Sequence, residues 1–186
     1  MSPILGIYAS SATPSHIVTN SYESISTVTV GAGGSSSVSF TSIPSTYTHL
    51  QIRIIAKNTT AGSGFENCQM RFNSDSGSNY TGHSLYGTGA SAGASASTSQ
   101  TAFPDAVRAA IASNNGWGVN IIDILDYANT NKYKTMRSLG GGDNNDTNGI
   151  IRLSSGVWMS TSAVNAISFP NSTYSQYSQF ALYGVK

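Results

Sequence analysis

Short segments that alternate apolar and polar residues recur along the chain, separated by segments rich in Gly, Asn, Ser and Pro. The clearest is 47–57, in which Leu50, Ile52, Ile54 and Ala56 occupy every second position. Successive side chains of a β-strand point to opposite faces of a sheet, so this spacing predicts strands with one buried face. Further strands are predicted at 22–30, 36–41, 67–73, 80–86, 118–128, 132–139, 150–159, 164–169 and 179–186.

The composition favours strands over helices. Only 9% of the residues are charged, whereas Ser, Thr, Asn and Gly make up 84 of the 186 residues. Long helical surfaces draw on Glu, Lys and Arg, which are scarce here. The hydrophobic share of 39% still supplies a core. We therefore expect an all-β fold: an antiparallel two-sheet β-sandwich of the jelly-roll type.

Three segments carry more specific expectations. Segment 87–99 is Gly/Ala/Ser-rich and has almost no large side chains, so it is expected to be a mobile loop. Segment 103–113 contains a run of small apolar residues after Pro104 and is the one helical candidate. The strands predicted at 22–30 and 36–41 flank a glycine-rich break, so they are expected to pair as a hairpin.

The near-neutral charge excludes several classes of partner. Lys and Arg together number 9 against 8 Asp and Glu, a formal net charge of +1. Binding to phosphates requires clustered Lys and Arg, and so does binding to an anionic membrane surface. No apolar run approaches the ~20 residues of a membrane-spanning helix. We expect neither nucleic acid nor membrane as a partner.

The sequence offers no convincing catalytic or cofactor site. His16, His49 and His83 lie in separate segments, and no Gly-x-Ser-x-Gly motif occurs. Asp123 and Asp126 are three apart in a predicted strand, so their carboxylates should point to opposite faces. We therefore expect no enzymatic activity and no cofactor.

The residues that could bind a metal or act through a thiol also have simple structural explanations. Segment 143–149 resembles a calcium loop at its first positions, but Ser154 stands where the bidentate Glu is required. A turn explains these residues without a metal, and a weak surface cation site is the alternative. The single cysteine, Cys68, cannot form a disulfide within the chain and is expected to be buried and inert.

The first twenty residues differ from the rest. Ile4, Leu5, Ile7 and Tyr8 cluster ahead of a Ser/Thr/Pro-rich stretch, with no basic region typical of a secretory signal. We expect 1–20 to be an extended arm that anchors one sandwich domain, 21–186, on a neighbouring subunit or on another protein of the same assembly. A frayed terminus and a first strand of the sandwich are the alternatives.

Four segments resemble a group of small virion proteins of tailed phages. They are 24–53, which begins Ser-Ile-Ser-Thr-Val-Thr-Val-Gly-Ala-Gly-Gly; 71–80, Arg-Phe-Asn-Ser-Asp-Ser-Gly-Ser-Asn-Tyr; 85–87, Leu-Tyr-Gly; and 176–185, Gln-Tyr-Ser-Gln-Phe-Ala-Leu-Tyr-Gly-Val. The resemblance covers 22–186. It implies a structural role on the head or tail of a virion, after synthesis in the host cytoplasm, and it implies no catalytic residue.

Two functions are compatible with this resemblance. The first is a non-enzymatic virion protein that decorates the capsid or forms part of a fibre, as a homo-oligomer, expected to be a trimer, in contact with other virion proteins. The alternative is a carbohydrate-binding module of a tail fibre that recognises a host surface glycan. Its candidate glycan-facing aromatics are Tyr86, Trp117 and Tyr174, although each ring could instead cap an edge of the core.

Overall fold

The computed structural model describes residues 21–62, 64–144 and 149–186. The predicted arm, with Ile4, Leu5, Ile7 and Tyr8, lies outside the described residues. Within them the chain forms twelve strands, paired antiparallel in one eight-stranded and one four-stranded sheet. This confirms the predicted all-β, two-sheet sandwich. No helix in these ranges is long and apolar enough to cross a membrane.

The two sheets are built from strands far apart in the sequence. The larger sheet has the order β1-β12-β3-β8-β9-β10-β5-β6, and the smaller has the order β2-β11-β4-β7. The strands are β1 (Tyr22–Thr29), β2 (Val38–Phe40), β3 (His49–Ala56), β4 (Phe65–Phe72), β5 (Tyr80–Gly87), β6 (Ala92–Gln100), β7 (Phe103–Ala110), β8 (Gly118–Leu125), β9 (Lys134–Gly142), β10 (Ile150–Trp158), β11 (Ile167–Phe169) and β12 (Gln179–Val185).

The larger sheet has two halves of different origin. The first half consists of β1, β12, β3 and β8. Along the chain these strands alternate with those of the smaller sheet, except that β4 and β7 follow one another in the smaller sheet. The second half, which we call the extension, consists of two antiparallel pairs, β5–β6 and β9–β10. Of the smaller sheet, β7 packs against the extension.

The core lies between the sheets. The alternating residues of β3 predicted to be buried, from Leu50 to Ala56, line it. Aromatic rings fill its centre, with Phe72 edge-on to Phe103 at 5.1 Å and to Trp158 at 5.7 Å between ring centroids. Such pairs stabilise the core beyond the burial of their apolar area, and the Phe72–Trp158 pair connects the two sheets.

Two predicted loop or helix segments are strands. Segment 87–99, expected to be mobile, contains most of β6, which pairs with β5 as an edge strand. Backbone hydrogen bonds hold an edge strand even when its side chains are small. Segment 103–113, expected to be helical, contains β7, and its last five residues are all buried. A strand buried on both faces shows no alternation, which is why its sequence resembled a helix.

The predicted hairpin of the first two strands is also wrong. β1 pairs with β12, and β2 pairs with β11 in the other sheet. The glycine-rich break between them therefore carries the chain from one sheet to the other. The other predicted strands all have a counterpart in the structure, within a few residues at each end.

One side chain joins the two sheets where β7 meets β8. The Asn120 Oδ1 accepts a hydrogen bond from the Arg108 backbone N–H at 2.7 Å, and its Nδ2 donates to the Arg108 carbonyl at 3.0 Å. The Asn120 side-chain amide thus gives Arg108 the same donor and acceptor that the backbone of a paired strand would provide. Gly118 permits this close approach, since a Cβ there would lie 2.0 Å from the Arg108 carbonyl oxygen.

The inner face of the extension is polar over part of its area, although Tyr80, Met136 and Trp158 on the same face belong to the apolar core. The buried Arg152 Nη1 forms an ion pair with Asp105 at 2.7 Å and donates to the Ser84 hydroxyl at 3.2 Å. Ser138 donates to the Ala106 carbonyl at 2.7 Å. Burial, together with the charge of Arg152, lowers the pKa of Arg108 to about 10. Polar groups inside the sandwich are therefore concentrated beneath the extension.

Candidate interaction surface

The outer face of the larger sheet exposes an unusual set of large apolar side chains. Seven of them, each between 41% and 61% exposed, form one group on five consecutive strands, β3, β8, β9, β10 and β5, whereas Leu125 of β8, 54% exposed, lies apart from the group, beyond Asp123. Single exposed apolar residues are common, but a contiguous group marks an interaction surface. The seven are Ile55, Leu85, Val119, Ile121, Leu139, Ile151 and Leu153.

Strand register arranges four of these side chains in an unbroken row. Ile121 pairs with Leu139, Leu139 with Leu153, and Leu153 with Leu85. Directly opposed residues on one face of an antiparallel sheet have neighbouring Cβ atoms, so their side chains touch. We call this row, Ile121-Leu139-Leu153-Leu85, the ridge.

A second row runs parallel to the ridge, two residues further along each strand. It contains Ile55, Val119, Gly141, Ile151 and Gly87, again paired in register. Its two glycines interrupt the apolar side chains, so we call it the notched row. Neither row contains an ionisable side chain.

The glycines open depressions in the surface. A groove of roughly 720 Å³ surrounds Gly141 and is lined by Val119 and Ile151, among others. A Cβ at Gly141 would lie 2.3 Å from the Ile150 carbonyl oxygen, so the backbone requires glycine there. Gly87 borders a second groove of about 530 Å³, and there a Cβ would meet only the Ile151 side chain, at 3.8 Å.

A polar row borders the ridge on its other side. Gln51 Nε2 donates to Asp123 Oδ1 at 3.0 Å, and Arg137 Nη2 forms an ion pair with Asp123 Oδ2 at 3.2 Å. Ser155 and His83 continue this row onto β10 and β5. An apolar centre with a polar border of satisfied hydrogen bonds is the usual anatomy of a protein–protein interface.

An arginine and two aromatic rings close the ridge at its β3 end. The Arg53 guanidinium lies 5.9 Å from the centre of the Tyr22 ring and 5.3 Å from that of Tyr183. Its Nε donates to Gln51 Oε1 at 3.0 Å. Tyrosine and arginine are both enriched in protein interfaces, which extends the candidate surface towards β1.

The three aromatics expected to face a glycan do not form one site. Tyr174 is fully buried and packs edge-on against Phe180 at 4.9 Å, so its assignment as a glycan-facing ring is corrected. Burial also raises the pKa of Tyr174. Tyr86 and Trp117 are half-buried on separate segments, against the cationic groups of Arg152 and Lys57 at 4.8 Å and 5.3 Å.

Residues that could support chemistry have structural roles in the described part of the chain. Cys68 is buried, and burial raises the pKa of its thiol. His49 Nδ1 accepts a hydrogen bond from the Asp126 backbone N–H at 3.0 Å. Within residues 21–62, 64–144 and 149–186, no group of three His, Cys, Asp or Glu side chains could hold a metal ion. Most of the calcium-like segment, 145–148, is outside these ranges.

Sequence reasoning missed the outer face. The available signal was a strand with apolar residues on both of its faces. In β8, Val119 and Ile121 are exposed on one face, while Ile122 and Ile124 are buried on the other. Such a strand is predicted to be buried on both faces. The chain matches no protein-family model, no curated protein and no solved structure. The outer face is thus the principal feature from which a function can be inferred.

Proposed function

We propose that this chain is a non-enzymatic structural protein of a phage virion that assembles through the outer face of its larger sheet. The observation that carries the proposal is the pair of exposed apolar rows on five adjacent strands. Monomeric proteins rarely leave an apolar patch of more than a few hundred Å² in contact with water. The resemblance of 24–53 and 176–185 to small virion proteins supplies the biological setting.

Within the virion, the chain is a jelly-roll module that decorates the capsid or forms part of a fibre. The strand order supports this finer description of the fold. β1-β12-β3-β8 in one sheet and β2-β11-β4-β7 in the other interleave in the manner of two Greek keys. On this description the β5–β6 and β9–β10 pairs are additions that widen one sheet and with it the assembly surface.

The chemistry of the outer face indicates the class of partner. Both rows are uncharged and apolar, and the polar row beside them already pairs Asp123 with Arg137. Such a surface favours another protein over nucleic acid, since phosphate binding requires unpaired cationic side chains. Copies of this chain and other virion proteins are the proposed partners, in a homo-oligomer.

Glycan recognition remains the alternative proposal, now supported by Tyr86 and Trp117 alone. An array of host surface glycans, probed with the isolated protein and with Trp117→Ala, tests it directly. Binding by the parent protein that Trp117→Ala abolishes would favour the receptor role, and silence on the array would favour assembly.

The main experiment is mass spectrometry of purified particles of the phage that encodes the chain. We expect many copies per particle, released only when the particles are dissociated. A phage encoding Leu139→Lys should lose the protein from its particles, whereas Tyr177→Lys, at a more exposed site outside both rows, should retain it. Detection in infected-cell lysate but not in particles would contradict the proposal.

A further inference from the structure

We infer that the outer face is covered by the same face of a second copy of this chain, related by a two-fold axis that runs along the rows. The inference rests on the proposed function, because it takes the outer face to be the assembly surface. Two-fold contacts are self-complementary, so each residue pair in the interface occurs twice. The face should therefore carry projections that match its own depressions.

The ridge and the notched row supply that match. A two-fold axis lying between them, parallel to both, places the ridge of one copy over the notched row of the other. Because this rotation keeps the position along the rows, each strand faces the same strand of the partner copy. On β9, Leu139 then faces the partner's Gly141, and on β5, Leu85 faces the partner's Gly87.

The remaining positions fit the same arrangement. Ile121 and Val119 share β8, and Leu153 and Ile151 share β10, so apolar side chains face each other on both strands. A large projection thus meets a glycine on alternate strands and a second apolar side chain on the others. A two-fold axis parallel to the strands would instead place ridge on ridge, so no ridge side chain would enter a glycine depression.

Area and charge are consistent with a second copy as the occupant. The axis lies near one end of the strands, so about five residues of each strand face their own image, and the eight strands give an overlap of roughly 34 Å by 17 Å, or about 580 Å². An interface of standard size buries about 800 Å² per partner, so the turns beside the notched row would supply the remainder. No charge in either row opposes its own image, and the Asp123–Arg137 pair lies outside the rows.

The test is sedimentation velocity of the full chain over a range of concentrations, combined with a variant that fills one depression. A Cβ at Gly87 would meet only Ile151, at 3.8 Å, so we expect Gly87→Leu to fold normally, as circular dichroism and thermal melting can verify. Since the new side chain would occupy the space of the partner's Leu85, association should weaken at least ten-fold. A merely adhesive apolar surface would instead associate more strongly, because the substitution adds apolar area.

A second substitution tests the match itself. Combining Gly87→Leu with Leu85→Ala moves the large side chain to the other row and should restore association to within a few-fold of the parent. Leu139→Lys should abolish association, and Tyr177→Lys should leave it unchanged.

This arrangement predicts an even number of copies, in contrast to the trimer expected from the sequence. A monomeric parent, an odd number of copies, or undiminished association of Gly87→Leu would overturn it.

Failure of this inference can be distinguished from failure of the proposed function. If particles contain the protein and require Leu139, but the isolated protein is monomeric, the outer face binds a different virion protein. That result would overturn the second copy and leave the structural role intact. Conversely, a dimer that behaves as described but is absent from particles would contradict the virion role alone.

Discussion

The two halves of the larger sheet distribute their side chains in opposite ways. In the first half, β3 and β8 turn Ile52 and Ile122 inward, and the smaller sheet covers them. In the extension, β10 turns Arg152 and Ser154 inward and exposes Ile151 and Leu153. One continuous hydrogen-bonded sheet therefore has an apolar inner face in one half and a mixed inner face in the other, polar around Arg152 and apolar at Trp158.

The difference follows from what covers each half. All four strands of the smaller sheet contribute apolar residues to the core, and β7 covers most of the extension, with Phe72 of β4 packed against Trp158. Beneath β7 the buried charge of Arg152 is held by Asp105, because a buried ion requires a partner. Ile151 and Leu153 of the extension are directed outward, where association would bury them.

The largest expected effect is a cavity in the first half. Ile122→Ala should lower the free energy of unfolding by about 4 kcal/mol, because the surrounding core cannot close around the lost atoms. Urea unfolding measures the change. Leu139→Ala, on the outer face of the same sheet, is the control and should cost far less in the monomer. Equal losses would mean that the two faces are buried alike in solution.

The next largest effect is in the polar interior of the extension. Arg152→Met should cost about 3 kcal/mol, since it leaves the Asp105 carboxylate without its cationic partner. Replacing both partners, with Arg152→Met and Asp105→Leu, should recover most of the loss in urea unfolding. Arg53→Met is the control for an exposed arginine. If the double variant is as unstable as the single one, the ion pair itself stabilises the extension.

A smaller effect, dependent on pH, is expected where the extension joins the smaller sheet. The Tyr80 hydroxyl accepts from the Phe72 N–H and donates to the Asp75 carbonyl, both at 3.1 Å. Tyr80→Phe should cost about 2 kcal/mol at pH 7, because it leaves a buried donor without a partner.

This cost should shrink at alkaline pH. Burial raises the pKa of Tyr80 to about 12, whereas a tyrosine in the unfolded chain ionises near pH 10. Between these values the unfolded state binds fewer protons, so the parent loses more stability as the pH rises than Tyr80→Phe, which keeps only the contributions of the other tyrosines, such as Tyr174. Urea unfolding at pH 7, 10 and 11.5 measures the convergence, and a constant difference would argue against the raised pKa.

The smallest effect on stability is expected on the outer face of the extension. Leu153→Ser should change the free energy of unfolding of the monomer by no more than about 0.5 kcal/mol, as for most exposed sites. Dilute samples, in which association is weak, are required for this measurement. A loss above about 2 kcal/mol under those conditions would show that part of the chain already covers Leu153.

Much of the fold could be predicted because one-sided burial leaves an alternating pattern. Leu50, Ile52 and Ile54 placed β3 and its buried face correctly. β6 was missed because Ala and Ser carry no strand signal, and its position is fixed by backbone pairing with β5. β7 was misassigned because burial on both faces removed the alternation from Ala106 to Ala110.

The candidate site was less predictable than the fold. Ile55, Ile121 and Leu153 lie far apart in the sequence, and each on its own resembles an ordinary exposed residue. They form one surface only because of the strand order and register, which alternation does not encode. Tyr174 illustrates the opposite error. Its ring was a candidate for an exposed position, but packing against Phe180 buries it, and the sequence near a loop does not reveal that packing.

The position of β12 between β1 and β3 also constrains how the protein can be made. β3 ends at Ala56 and β12 begins at Gln179, so at about 5–20 residues per second their synthesis is separated by roughly 6–25 s. During that interval β1 and β3 lack the strand that joins them. The emerging chain therefore carries unpaired strand edges for seconds, and its yield should depend on translation speed and on chaperones that cover those edges.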